Sequence, residues 1–128
     1  MMDWQRFLAI ASNHLAFKPC EVPGKWSWCG WTTFERLGED AGYWTASLPL
    51  ESELLSEGTS DGGSWGQPFR YTQLAHVLVP RRFYWEEISA EGFNSGVHEQ
   101  DVQGLSDLLA AEGIFHRLNE YVLEVKLY

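Results

Sequence analysis

Apolar residues recur at helical spacing near the start of the chain. They repeat with the 3.6-residue period of an amphipathic helix, at Trp4, Phe7, Leu8, Ala11 and Leu15. The residue before them, Asp3, can accept hydrogen bonds from the first free amides of such a helix. The pattern therefore predicts a helix of about four turns that begins there and ends before Pro19.

The last third of the chain combines a second helical pattern with two alternating runs. The apolar face of this helix is Val102, Leu105, Leu108 and Leu109. Gly113 is suited to end it in a left-handed cap, and Asn119-Glu120 separates two strand-like runs, which predicts a tight hairpin. Apolar and polar residues alternate along 121–128, so one face is predicted to be buried and the other mainly wet. Such a terminal strand can pair at an edge and form a dimer, or lie inside the sheet.

Between the helices, shorter patterns predict strands and loops. Residues 74–79 (LAHVLV) predict a strand stopped by Pro80, and residues 83–85 predict a second piece or an edge strand. Residues 43–48 predict a further strand, and residues 51–55 a short helical turn. Two segments rich in Gly, Ser or Asn, 56–66 and 91–98, predict loops, the first of them mobile.

This order of elements predicts an α+β fold. We expect a single domain over residues 1–128, with a mostly antiparallel sheet packed against the N-terminal and late helices and a C-terminal β-hairpin. The 128 residues are 45% hydrophobic and 15% aromatic, which is enough to fill one core without disulfides or metals.

The sequence KWSWCGW, residues 25–31, concentrates tryptophans around a cysteine. In a strand Trp26 and Trp28 share a face, and Gly30 suggests a bulge that turns Trp31 elsewhere. We expect Trp26 and Trp28 to belong to the core and keep Trp31 as a possible contact residue. An apolar setting raises the pKa of a thiol, so Cys29 is expected to be inert.

Charge narrows the classes of partner. The formal net charge is −9, from 18 Asp and Glu against 9 Lys and Arg. Such a surface repels nucleic acids and anionic membranes, and its natural complement is a basic partner, although acidic surfaces also serve solubility alone. The sequence shows neither a signal peptide nor a membrane span, so we expect a cytoplasmic protein with reduced thiols.

Motifs of catalysis and metal binding are missing. The cysteines and histidines lack the close spacing of a zinc site, and Gly-x-Ser-x-Gly and phosphate-binding loops are absent. The sequence does not show whether carboxylate pairs such as Glu39-Asp40 and Glu86-Glu87 face one cleft. We expect no enzyme, no metal and no cofactor.

The strongest functional pattern is an acidic segment. Residues 37–69 contain no Lys or Arg. Their carboxylates are Glu39, Asp40, Glu51, Glu53, Glu57 and Asp61. Trp65 lies in the Gly-rich loop of this segment, and an exposed aromatic residue flanked by carboxylates has the composition of a binding hot spot. Trp44 is a second candidate anchor.

The final sequence EQDVQGLSDLLAAEGIFHRLNEYVLEVKLY, a helix followed by a hairpin, resembles the ends of immunity proteins of bacterial polymorphic toxin systems, including contact-dependent growth inhibition. The small size, acidic charge and lack of catalytic motifs are similar to that group as well. The resemblance implies a cognate toxin domain as partner, often a basic nuclease, bound by the acidic residues together with Trp44 and Trp65. A monomer or weak homodimer is expected. The alternatives are a sugar- or nucleotide-binding module with a Trp-lined groove and a small carboxylate-dependent hydrolase.

Overall fold

The computed structural model describes residues 2–15, 27–40, 42–49, 51–59 and 69–128, with only the backbone of Glu87 and Ser89. Several predictions of the sequence fall elsewhere. The predicted last helical turn before Pro19, the residues Trp26, Asp61 and Trp65, and most of the predicted mobile loop lie outside the described residues.

Two helices form where the apolar periodicity predicts them. Helix α1 spans Trp4–Leu15, and the amide of Arg6 donates to Oδ1 of Asp3 over 3.0 Å, which confirms the predicted cap. Helix α2 spans Val102–Ala111, and its N-cap residue Asp101 accepts a hydrogen bond from the amide of Gly104 over 3.0 Å. Short polar side chains thus satisfy amides at the start of both helices.

The end of α2 follows the predicted left-handed cap. Gly113 has a φ of 72°, and its amide donates to the carbonyl of Ala110 over 3.1 Å. The amide of Ile114 donates to the carbonyl of Leu109 over 2.9 Å. These two bonds make a Schellman motif, which satisfies carbonyls that the helix itself leaves open.

Among the residues that the structure describes, nine strands form three sheets. In chain order they are β1 Cys29–Thr33, β2 Trp44–Ala46, β3 Gly58–Thr59, β4 Phe69–Arg70, β5 Leu74–Pro80, β6 Arg82–Ser89, β7 Gly92–Glu99, β8 Arg117–Leu118 and β9 Val122–Lys126. The largest sheet has the order β2-β1-β5-β9-β8 and is antiparallel throughout, while β3 pairs with β4 and β6 with β7. The α+β prediction with a mostly antiparallel sheet and a C-terminal hairpin is confirmed.

The core lies on one face of the five-stranded sheet. Trp31 is opposite Val77, and Val77 is opposite Val125, so their side chains form a row across three strands. The buried faces of α1 and α2 pack with this row in one hydrophobic cluster. The helices run antiparallel, because Arg6 pairs with Glu112 at one end and His14 with Asp101 at the other. The helices thereby cover one face of the sheet, while Thr32 and His76, which are also buried, lie on the opposite face.

The terminal strand β9 lies inside the sheet, between β5 and β8. Oδ1 of Asn119 accepts hydrogen bonds from the amides of Tyr121 and Val122, over 2.7 and 2.9 Å, and closes the hairpin turn. Leu123 and Val125 are buried as their alternation predicts, whereas Tyr121 is exposed beyond the sheet. Two chains therefore could not dimerise by pairing their β9 strands edge to edge.

The loop predicted over residues 91–98 is wrong. Residues Gly92–Glu99 form β7, which pairs with β6 from Arg82↔Glu99 to Ser89↔Gly92. Gly, Asn and Ser have low strand propensity, but the backbone of β6 supplies hydrogen-bond partners along the whole length of the hairpin. Tertiary pairing thus overrides local composition.

The loop predicted over residues 56–66 is also wrong at Gly58–Thr59, which form β3. A Cβ added to Gly58 would lie 2.0 Å from the carbonyl oxygen of Phe69 in β4. This glycine marks a close approach of two backbones rather than a loop.

The interpretation of the tryptophan cluster needs correction at two points. Strand β1 begins at Cys29, after Trp28, and its irregularity lies between Thr32 and Thr33 rather than at Gly30. Trp31 is only 1% exposed and belongs to the core, so it is not available as a contact residue. The alternation of β1 itself directs Trp31 inward, and Gly30 keeps the regular register.

Replacing Gly113 with Ala is expected to lower the free energy of unfolding by about 1–2 kcal/mol, because an L-residue is strained in the left-handed region. Nothing lies within 4 Å of the added Cβ, so the loss comes from the backbone alone. The matched control is Gly38→Ala, which also meets nothing within 4 Å and has no positive φ. Urea unfolding should show a loss for Gly113→Ala and none for Gly38→Ala; equal midpoints would contradict the assignment.

Candidate functional site

The first part of the acidic segment is a turn at the edge of the large sheet. Glu39 and Asp40 are exposed and follow the 3₁₀ helix Phe34–Arg36. The amide of Glu39 donates to the carbonyl of Arg36 over 3.1 Å, and Oε2 of Glu39 lies 3.5 Å from Nε of the same arginine. The turn is thus ordered by its own backbone and by one ion pair.

The same turn is fastened to the sheet. The hydroxyl of Thr32, in β1, donates to the carbonyl of Gly42 over 2.6 Å and is buried. A Cβ on residue 42 would lie 2.4 Å from the carbonyl oxygen of Arg36, so only glycine lets the chain pass this closely. These contacts hold Glu39 and Asp40 in a fixed position relative to β2.

Trp44 connects the turn to the core. Its ring is half-buried, stacks on Trp31 with centroids 6.2 Å apart, and lies 5.2 Å from the ring of Phe69. Cζ of Arg36 is 3.8 Å from the Trp44 centroid, a cation–π contact. Most of this side chain therefore serves packing, and the part left for a partner is shared with the Arg36 guanidinium.

The second part of the acidic segment lies beside α1 and the β3–β4 pair. Glu51 and Glu53 belong to the 3₁₀ helix Glu51–Glu53, which contacts α1; Glu51 is exposed and Glu53 half-buried. Glu57 is exposed, and its carbonyl accepts the amide of Tyr71 over 2.9 Å. Glu57 and Arg70 line the same surface cleft.

In the fold, two arginines lie close to carboxylates of the acidic segment. Arg36 and Arg70 are the residues that bracket the segment in sequence, and they lie beside Glu39 and Glu57 in space. The acidic segment contains no cation along the chain, as predicted. The two flanking arginines nevertheless partly compensate its negative charge at both ends. Among the described residues of the acidic segment, Asp40 and Glu51 are exposed carboxylates.

A polar cluster that the sequence did not predict lies on the face of the sheet opposite the helices. The hydroxyl of Tyr43 is 2.7 Å from Nδ1 of His76 and 2.7 Å from the hydroxyl of Tyr128. Nε2 of His76 is 2.7 Å from Oε2 of Glu124. Since a carboxylate only accepts, Nε2 carries a proton, and in the neutral ring Nδ1 accepts from Tyr43. A chain of hydrogen bonds thus runs from Tyr128 through Tyr43 and His76 to Glu124.

This cluster adjoins the acidic turn, because Tyr43 follows directly after Gly42. Burial of the phenol is the main reason that the pKa of Tyr43 is raised from 10.0 to about 12, with the hydrogen bond to Tyr128 and the charge of Glu124 adding to it. His76 is 7% exposed, so the two tyrosine hydroxyls and the Glu124 carboxylate shield its ring. The arrangement suits a rigid hydrogen-bonded platform beside Glu39 and Asp40.

A signal for the cluster was present in the strand periodicity. His76 alternates with Val77 in the apolar run of β5, so it must face away from the core. Glu124 and Tyr128 lie on the polar parity of β9. What the sequence did not contain is the pairing of β5 with β9 and the position of Tyr43 near both.

Metal binding has no support in the described part of the chain, where no group of three or more His, Cys, Asp or Glu side chains could hold an ion. Among the same residues, no helix combines the length and the apolar character needed to cross a membrane. Comparison with family models, with curated proteins and with solved structures finds no match to this chain.

The raised pKa of Tyr43 predicts a specific loss of stability in alkali. A phenol with a higher pKa in the folded than in the unfolded chain stabilises the fold fully below pH 10, and this contribution declines as the pH rises towards about 12. We expect Tyr43→Phe to lose less stability across that window than the unmodified chain, as measured by urea unfolding at successive pH values. Tyr121→Phe, at a ring that is 73% exposed, is the control and should follow the unmodified chain. Parallel curves for all three proteins would show that the network does not hold the Tyr43 proton.

Proposed function

We propose that this chain is a cytoplasmic immunity protein, which binds and neutralises a cognate toxin domain, a basic nuclease, through its acidic surface. The observation that carries the proposal is the acidic segment, whose residues 37–69 contain no Lys or Arg in a chain of net charge −9. A basic protein is the partner that such a surface attracts most strongly.

The geometry of the acidic residues supports this proposal. Glu39, Asp40, Glu51 and Glu57 are exposed. The turn with Glu39 and Asp40 is held by the hydrogen bonds of Arg36 and Thr32, while the carbonyl of Glu51 accepts the amide of Leu54 and that of Glu57 accepts the amide of Tyr71. A binding surface that is ordered before the partner arrives loses less conformational entropy on association. The cluster around His76 also holds Tyr43, the residue directly after Gly42, by a hydrogen bond.

In this proposal the acidic residues act in two ways. Their field steers a basic partner and raises the association rate by about 10- to 10³-fold. Carboxylates also resemble the phosphates that a nuclease binds, so they compete for the cations of its substrate surface. Trp44 and Trp65 are proposed as the aromatic anchors, with Glu53 and Asp61 as further charge partners; Trp65 and Asp61 lie outside the described residues.

The alternative of a Trp-lined groove for a sugar or nucleotide gains no support from the described tryptophans. Trp4 and Trp31 are buried in the core, and Trp28 stacks on Phe83 with centroids 6.1 Å apart. Side chains committed to packing cannot also stack on a ligand without opening the core. We therefore do not propose the small-molecule module.

The test is a charge reversal on two exposed carboxylates, Asp40→Lys and Glu57→Lys in one variant. The partner to be tested is the C-terminal domain of the protein encoded by the gene immediately upstream, which the proposal requires to be a basic nuclease. We expect the dissociation constant to rise about tenfold or more, because two charge pairs become repulsive. Titration calorimetry at low and at high salt measures the loss, and co-expression with the toxin domain measures protection of the cell.

The matched control is Asp107→Lys with Glu120→Lys, which changes the net charge by the same amount at two exposed sites outside the acidic segment. The control is expected to keep its affinity and its protection within about threefold. Equal behaviour of both variants, with both folded by circular dichroism, would show that the acidic segment is not the binding surface.

A further inference from the structure

The β6–β7 hairpin exposes four large apolar side chains. Tyr84 is 61% exposed, Ile88 85%, Phe93 57% and Val97 64%. The register places Tyr84 opposite Val97 and Ile88 opposite Phe93. Because residues two apart along a strand share a face, all four side chains lie on the same face of the hairpin. They form an exposed apolar surface, which we call the hairpin face.

The opposite face of the hairpin is attached to the body of the protein. Phe83 stacks on Trp28 with centroids 6.1 Å apart and contacts His98 at 5.3 Å. At the base, the buried side chain of Gln100 donates to the carbonyls of Trp28 and Pro80, each over 2.9 Å, and accepts the amide of Trp28 over 2.9 Å. The hairpin is therefore anchored firmly at one end.

The hairpin face has no structural task in the described part of the chain. Its strands pair with each other and belong to a sheet of two strands, separate from the five-stranded sheet. A two-stranded hairpin does not need four exposed apolar side chains on its outer face, and contiguous apolar patches of this kind mark interaction sites. The hairpin face is thus available to a partner.

The charges of the hairpin indicate which partner fits. Residues 82–99 contain Glu86, Glu87, Glu91 and Glu99 but one cation, Arg82, whose Nε lies 3.1 Å from Oε1 of Glu99. Glu86 lies on the hairpin face between the apolar pairs and accepts a hydrogen bond from the hydroxyl of Tyr84 over 3.3 Å. A second copy, itself of charge −9, would bring like carboxylates together. An apolar surface bordered by Lys and Arg is complementary.

We propose that the hairpin face is a second binding surface, which docks on an apolar patch bordered by basic side chains on the same partner that the acidic segment attracts. This inference rests on the proposed function, because the partner is the basic toxin domain. Acidic residues mainly determine how fast the two proteins meet, whereas desolvated apolar anchors mainly determine how long they stay together. The hairpin face accounts for residence time, which the acidic segment alone does not supply.

The test replaces both Ile88 and Phe93 with Thr, a β-branched residue of high strand propensity that preserves the hairpin. The probe is the same upstream-encoded domain as in the charge-reversal test, and the measurement is surface plasmon resonance. We expect the dissociation rate to rise about tenfold or more, with the association rate changed by less than about threefold. The control is Phe115→Thr with Tyr121→Thr, two side chains that are 70% and 73% exposed outside the hairpin.

The outcomes separate the two proposals. If the unmodified chain binds the domain and Ile88→Thr/Phe93→Thr dissociates at the same slow rate, the hairpin inference is overturned and the proposed function stands. If the unmodified chain does not bind the domain, both are overturned. Analytical ultracentrifugation tests whether a second copy of the chain occupies the hairpin face instead. A dimer that the hairpin variant abolishes and the control retains would show this and overturn the inference.

Discussion

Burial of Trp31 against Val77 and beneath the two helices is the interaction on which the rest of the structure depends. It joins β1 to β5, and Val125 continues the row into β9, so the three central strands share one apolar seam. Burying large apolar side chains is the main favourable term in folding, and close packing makes their positions specific. The edge strand β2 is held to this seam by the stacking of Trp44 on Trp31.

Covering one face of the sheet leaves three features on the outside, and they differ in chemistry. The face opposite the helices carries a hydrogen-bonded chain of Tyr128, Tyr43, His76 and Glu124. The edge beside it carries the acidic turn with Glu39 and Asp40, and the separate hairpin carries exposed apolar residues. The acidic turn and the exposed apolar residues thus lie on different elements of one small protein. With this arrangement, the carboxylates can supply long-range attraction and the apolar residues can supply tight contact.

The sequence predicted the elements whose pattern is local and strong. The N-cap of α1 at Asp3, the C-terminal cap of α2 at Gly113, the apolar run of β5 and the terminal hairpin are indicated by residues close together in the chain. It failed where a local signal competes with a distant partner. The glycines and the asparagine of β7 indicate a loop, and so does Gly58. Backbone pairing with β6 and with β4 nevertheless makes both segments strands. In the candidate site the sequence located the carboxylates and the two arginines that flank the segment, but only the structure shows that Arg36 lies beside Glu39 and Arg70 beside Glu57.

Sequence alone determined the class of fold, the two helix boundaries at their capped ends, the net charge and the acidic segment, because composition and periodicity are properties of neighbouring residues. Only the tertiary structure decided that Trp31 is core, that His76 meets Tyr43 and Glu124, and that Tyr84, Ile88, Phe93 and Val97 share an exposed face. These relations depend on strand register. A shift by one residue turns every side chain to the opposite face, and the choice of register is made by packing across the whole domain.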